Sequence, residues 1–127
     1  MTKRFDVLYI TLGALYLLAG MIMGLVMGVR HDFTLAPVHA HFNLIGFVAN
    51  SAFGLTHRAW PKLRDSSVAG AQFWIFVLGT PLYLLGLAMA VLYGHIGLVA
   101  LGSIILIVGA LIWFIMVWRN LFVSESA

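Results

Sequence analysis

The segment TLAPVHAHFNLIGFVANSAFGLT, residues 34–56, places His39 and His41 one residue apart inside a run of apolar side chains. The segment is long enough to cross a bilayer, because a membrane-spanning helix needs about 20 mainly apolar residues. Ionisable side chains at this depth are rare, costly and usually functional. Two residues of a helix correspond to about 200° of rotation, so the two imidazoles point to nearly opposite sides. Each ring therefore needs its own polar partner.

The composition of the whole chain indicates a membrane protein. Of its 127 residues, 63% are hydrophobic and 9% are charged, and the mean hydropathy is +1.07. Such values are outside the range of soluble domains. Apolar windows at residues 7–29, 34–56, 68–93 and 96–118 predict an all-α fold of four transmembrane helices, which leaves no room for a soluble domain. We therefore expect residues 1–127 to form a single four-helix domain.

The basic residues predict how the helices are oriented. If four helices alternate in direction, one of the seven basic residues, Arg30, lies on one side, and the other side holds Lys3, Arg4, Arg58, Lys62, Arg64 and Arg119. By the positive-inside rule, both termini and the loop between the second and third helices are cytoplasmic, as in a multi-pass protein of a bacterial-type inner membrane. The same residues form no basic patch, so no nucleic-acid partner is expected.

The glycines, one proline and the absence of cysteine add three further expectations. Gly20, Gly24 and Gly28 recur every four residues, a spacing that lets a second helix approach closely. Pro81 is expected to bend the third helix. The sequence has no cysteine, which excludes disulfides, iron–sulfur clusters and thiolate ligands.

The second window carries a polar stripe at helical spacing, which consists of His39, Asn43, Gly46, Asn50, Gly54 and His57. This stripe must face protein or a cavity, because lipid would leave its amide groups unsatisfied. His57 should lie near the inner interface beside Arg58, about 24 Å along the axis from His41.

The stripe that contains His41 is otherwise apolar. Its imidazole must therefore face a neighbouring subunit, a metal ion or a haem, since lipid offers no partner. The simpler alternative for either histidine is a hydrogen bond to a backbone carbonyl, which also holds helices together. Imidazole binds iron, copper and zinc alike, so the residue type does not choose the metal.

Residues 37–47, PVHAHFNLIGF, resemble the His-x-His helix of subunit I in the haem-copper oxidase superfamily, which includes cytochrome c oxidases and nitric oxide reductases. In that family the two histidines ligate haem irons on opposite faces of the helix, towards the outer side of the membrane. The resemblance implies b-type haem bound through His39 and His41, with Asn43 in the same motif. Arg30, and His31 beside it in the outer turn, are candidates for pairing with the haem propionates.

The resemblance implies electron transfer or the binding of oxygen or nitric oxide. The family's copper site uses an adjacent His-His pair, which this sequence lacks, so enzymatic activity stays open and no catalytic residue is assigned. Two alternatives also stay open. One is a membrane protein that binds or transfers copper or zinc through the same imidazoles, and the other is an accessory subunit without a cofactor. The sequence does not identify a redox partner.

The family's twelve helices form three arcs of four, and this chain resembles one arc. Three copies would rebuild the whole disc, which favours a homotrimer over the commoner twofold dimer. Around a threefold axis, each space between subunits would receive His39 from one chain and His41 from the next. We therefore expect one haem between each pair of subunits.

Overall fold

The computed structural model describes residues 4–123, and these residues contain helices and turns but no strand. In chain order, the elements are α1 (Phe5–Arg30), α2 (Ala36–His41), the π-helix π1 (Phe42–Ala49), α3 (Asn50–Ala59), α4 (Pro61–Arg64), α5 (Ala69–Tyr93), α6 (Gly97–Val117) and the π-helix π2 (Trp118–Val123). Because α2, π1 and α3 follow one another without a break, residues 36–59 form one composite helix. The all-α fold is thus confirmed.

Within residues 4–123, three helices are long and apolar enough to cross a membrane, and they span Phe5–Arg30, Ala69–Tyr93 and Gly97–Phe122. They correspond to the predicted windows 7–29, 68–93 and 96–118. The remaining window, 34–56, is also helical, but π1 interrupts its α-helical part. A π-helix of this length is rare, and π-helical turns often occur at functional sites.

The two long hairpins are formed by sharp turns at helix ends. α1 is capped by His31, whose φ of 51° is left-handed and whose N–H bonds to the carbonyl of Gly28. Pro37 lies in the first turn of α2, where its missing N–H is tolerated. α5 is capped by Gly94, whose φ of 72° suits a residue without a side chain. α5 continues through Pro81 as one helix, and the predicted bend there stays a prediction.

Glycines let α1 and the composite helix pack closely. A Cβ atom on Gly46 would lie 2.7 Å from Cβ of Tyr16, and one on Gly54 would lie 2.7 Å from Cγ1 of Ile10. Of the predicted glycine face on α1, Gly20 and Gly24 contact the composite helix, whereas Gly28 has no heavy atom within 4 Å of its Cβ position. The close approach is confirmed for the first two positions.

The buried apolar core lies towards the end of the bundle that we call the basic end, where Arg58, Lys62, Arg64 and Arg119 are found. It joins α1, α3, α5 and α6 through Tyr9, Phe53, Phe73, Phe76 and Leu106. The opposite end, which we call the turn end, contains the turns at residues 31–35 and 94–96. There α1 and α5 are separated by an apolar cavity, and the histidine pair is in this half of the bundle.

Candidate functional site

His39 lies against α1 and is fixed by a backbone hydrogen bond. Its Nδ1 donates to the carbonyl oxygen of Gly20 at 2.8 Å. The ring is half-buried and covers Gly24, where a Cβ atom would lie 2.9 Å from Cε1 of His39. The glycines of α1 therefore provide both the acceptor and the space for this imidazole.

His41 lies on the other side of the helix, next to α5. Its Nδ1 donates to the carbonyl oxygen of Pro37, one turn earlier, at 2.7 Å. The ring is half-buried, and its centroid is 5.5 Å from that of Tyr83 at an interplanar angle of 52°. The predicted divergence of the two histidines is confirmed, since they contact different helices. The hydrogen bond to a backbone carbonyl is the simpler alternative that the sequence left open, whereas the ring contact with α5 of the same chain was not among the neighbours expected for His41.

The imidazole rings of His39 and His41 have the same tautomer. A carbonyl oxygen only accepts, so Nδ1 carries the hydrogen in both imidazoles, and in the neutral ring Nε2 then carries the lone pair. None of the side chains described between residues 4 and 122 hydrogen-bonds to Nε2 of His39 or His41. Histidines that ligate metals commonly donate the second ring N–H to a carbonyl in this way. The carbonyl bonds also fit the simpler hypothesis, in which each ring bonds to a backbone carbonyl, although only the bond of His39 joins two helices. The atom that could bind a metal in addition is therefore Nε2.

Asn43 extends the polar stripe one turn beyond His39. Its side chain lies against Gly20, and its Oδ1 is buried without a hydrogen-bond partner in the described part of the chain. Asn50, further along the stripe, donates from Nδ2 to the carbonyl of Gly46 at 2.7 Å. Buried polar groups are nearly always paired, so the free oxygen of Asn43 is an unusual feature next to the histidine.

Arg30 lies at the turn end, where it lines a cavity of about 230 Å³ together with Asp32, Thr34 and Leu35. Hydrogen bonds from the hydroxyl and the N–H of Thr34 hold the pKa of the Asp32 carboxyl below its usual value. Asp32 is therefore an anion near Arg30 and would compete with an incoming carboxylate. His31 is exposed in the turn.

The apolar cavity of the turn half has a volume of about 350 Å³. Tyr16 and Met23 of α1 form one wall, Leu84 of α5 forms the other, and Val38 and Phe42 form the base between them. The cavity shares Leu35 with the Arg30 cavity, so a polar opening adjoins an apolar space. Neither His39 nor His41 lines it, which means that one chain does not direct both imidazoles into this space.

His57 is the polar residue whose environment the sequence did not predict. It was expected at an interface, but its side chain is fully buried, and neither ring nitrogen has a hydrogen-bond partner among the described residues. Its ring stacks on Tyr9 at 5.8 Å, and the Tyr9 hydroxyl donates to Oε1 of Gln72 at 2.5 Å. The signal in the sequence was the position of His57 at the end of the polar stripe.

The other candidate ligands are dispersed. No group of three or more His, Cys, Asp or Glu side chains within residues 4–123 is placed to hold a metal ion. His95 is exposed at the turn end, and Met21 is exposed while Met27 is buried. Among the described residues, no further His, Cys, Asp or Glu joins His39 or His41 in a group that could hold a metal ion.

No protein-family model, curated protein or solved structure matches this chain. The resemblance to the haem-copper oxidase superfamily therefore rests on residues 37–47 alone.

Proposed function

We propose that the chain is a membrane protein that binds b-type haem through His39 and His41 and serves electron transfer or gas binding. The observation that carries the proposal is that both rings bond through Nδ1 to a backbone carbonyl and leave Nε2 free. Imidazole is a common axial ligand of haem iron. A hydrogen bond from the ring nitrogen that does not bind the iron fixes the orientation of such a ligand. The resemblance to the haem-copper oxidase superfamily supports the same cofactor.

The number of available ligands favours haem over a single zinc ion. Protein sites for zinc use three or four side chains, and residues 4–123 contain no cluster of that size. A haem supplies four nitrogens itself and needs only one or two imidazoles from the protein. A bound haem would supply reversible one-electron chemistry or a site for a diatomic gas.

The divergence of the histidines supports a haem held between copies of the chain. His39 contacts α1 and His41 contacts α5, so ligation of one iron by both residue types requires two chains. We propose a homotrimer in which each interface combines His39 of one subunit with His41 of the next, with three haems in all. An exposed apolar strip continues below His41 and offers a surface for the neighbouring copy to cover, comprising Leu44 (57% exposed), Val48 (51%) and Leu55 (60%).

The proposal includes the orientation of the chain in the membrane. The composite helix is taken as the fourth span, and both termini are cytoplasmic because the basic end carries most of the Lys and Arg residues. This topology fits a bacterial-type inner membrane. Arg30 then lies at the outer side, where its guanidinium would pair with a haem propionate in competition with Asp32.

The absorption spectrum of the purified protein, oxidised and reduced, tests the haem proposal. A Soret band with the features of low-spin haem is expected. His39→Ala and His41→Ala should each lose haem or convert low-spin iron to high-spin iron. His95→Ala is the matched control, since His95 is exposed at the same end of the bundle and should leave the spectrum unchanged.

The following outcomes would each contradict part of the proposal. A normal haem content and spectrum in both the His39 and the His41 variant would exclude these residues as ligands. Copper or zinc without iron would select the metal-binding alternative, and a colourless, metal-free protein would select an accessory subunit. Native mass spectrometry should give a trimer with three haems. A dimer, or a monomer that keeps fully low-spin haem, would exclude the arrangement between subunits.

A further inference from the structure

A second cavity, of about 430 Å³, lies at the basic end of the bundle, on the opposite side of the molecule from the histidine pair. It opens between the loop that precedes α5 and the end of α6. Ser66, Ser67 and Arg119 line its polar side. None of these residues belongs to the proposed haem site, so the cavity requires a separate explanation.

The polar side of this cavity has donor groups that could bind an anion. In the described part of the chain, the ion pairs join Arg58 to Asp6 and Arg64 to Asp65, and neither involves Arg119. The hydroxyl groups of Ser66 and Ser67 make no hydrogen bond within the described residues. A guanidinium and two hydroxyl groups can together donate several hydrogen bonds to the oxygens of a phosphate.

The other side of the cavity is apolar and continues along a helix that is suited to a membrane. Ile112, Ile115 and Met116 of α6 line it. α6 belongs to a segment long and apolar enough to cross a bilayer, and Ile115 is 43% exposed, so the apolar wall extends outwards along the helix. Trp118, which precedes Arg119 in the chain, is 55% exposed, and exposed tryptophan is typical of helix ends at the headgroup level. A soluble anion would use the polar side and leave the apolar side uncovered.

We propose that this cavity binds one anionic phospholipid. Its phosphate is held by Arg119 and the two serine hydroxyls, and an acyl chain lies along Ile112 and Ile115. Basic pockets between membrane helices bind acidic headgroups by this combination of charge and apolar contact. This lipid site does not depend on haem. It would make an anionic phospholipid a specific ligand of the chain in addition to the proposed haem.

Native mass spectrometry of the detergent-purified chain tests the site after incubation with equal amounts of phosphatidylglycerol and phosphatidylcholine. The wild-type chain should retain phosphatidylglycerol in preference to phosphatidylcholine. Arg119→Gln should reduce that retention by roughly fivefold, the usual effect of one cation near an acidic lipid. Lys62→Gln removes an exposed cation from the same end and should leave retention unchanged. Ser67→Ala should weaken retention in a second variant that keeps the charge.

The remaining outcomes would overturn the assignment. Equal retention of the two lipids by the wild-type chain would show that the cavity does not select an acidic headgroup. Equal losses in Arg119→Gln and Lys62→Gln would show that overall charge, not this site, attracts the lipid. If inorganic phosphate displaced phosphatidylglycerol at equal concentration, the cavity would be a site for a soluble anion. All of these readouts are independent of haem content, so they stand whether or not the haem proposal holds.

Discussion

The imidazole of His39 occupies the space that a side chain at Gly24 would need, since a Cβ atom there would lie 2.9 Å from Cε1 of His39. The contact is with the end of a side chain, so the ring can move while the backbones stay in place. Gly24→Ala should therefore displace His39 from the Gly20 carbonyl and weaken haem binding without unfolding the bundle. The measurement is haem content per chain, together with the low-spin fraction in the absorption spectrum.

Gly28 provides the matched control for this change, one helical turn further along α1. No heavy atom lies within 4 Å of its Cβ position, so Gly28→Ala should leave the spectrum unaltered. Its effect on stability should be neutral or favourable by up to about 1 kcal/mol, because alanine is the better helix former. If the two variants bound haem equally well, the position of the His39 ring would not control the site.

The contact between α5 and α6 should be sensitive to a single methyl group at Gly86. A Cβ atom there would collide with the backbone of Val99 and Leu98, which cannot move as a side chain can. We expect Gly86→Ala to destabilise the protein by about 1 to 3 kcal/mol, the usual cost of overpacking. Thermal unfolding in detergent would measure this loss. Gly97→Ala is the control, because its Cβ position has no neighbour within 4 Å, and a similar loss in both variants would contradict the packing argument.

The hydrogen bond from Tyr9 to Gln72 should contribute to stability because both side chains are fully buried. Tyr9→Phe removes the donor and leaves Oε1 of Gln72 without this partner. The expected cost is about 1 to 2 kcal/mol in the free energy of unfolding. Tyr93→Phe makes the same chemical change at a residue that is 70% exposed, so its unfolding temperature should stay at the wild-type value. Equal shifts in the two variants would argue against the buried bond.

Reporter fusions test the proposed orientation in the membrane. A reporter joined after Val123 should be active only if it works in the cytoplasm, because most cations lie at that end. A reporter inserted after His95, in the turn between α5 and α6, should be active only in its periplasmic form. The reverse pattern would place the histidine pair on the cytoplasmic side. If the composite helix did not cross the membrane, the chain would have three spans. Residues 58–64 and the first residues of α1 would then lie on opposite sides of the membrane.

The helices could be predicted from the sequence because apolar windows of this length have few alternatives. The window 68–93 differs from α5 by one residue at its start, and 7–29 lies within α1. The π-helix could not be predicted from the apolar pattern. An α-helix and a π-helix can both place apolar residues on one face, and they differ in the number of residues per turn. The window 34–56 therefore predicted where the composite helix lies, but not that it consists of α2, π1 and α3.

The divergence of His39 and His41 was predictable from the sequence, and their contacts were less so. The two-residue spacing of His39 and His41 was enough to predict that they face different neighbours. That Tyr83 is the neighbour of His41 depends on how α5 packs, and no local pattern encodes this. The burial of His57 has the same origin, because the ring that covers it belongs to Tyr9 at the start of α1. Contacts between distant segments decide all of these cases.

The uneven distribution of the core has a mechanical consequence. The α1 hairpin and the α5–α6 hairpin are held together by the aromatic cluster of the basic half, while the turn half contains the cavity between α1 and α5. In the turn half, the contact between the hairpins includes the ring pair of His41 and Tyr83. The position of the His41 ring is therefore coupled to the separation of the two hairpins at that end. A group that bound His41 and moved its ring would also change how the hairpins pack.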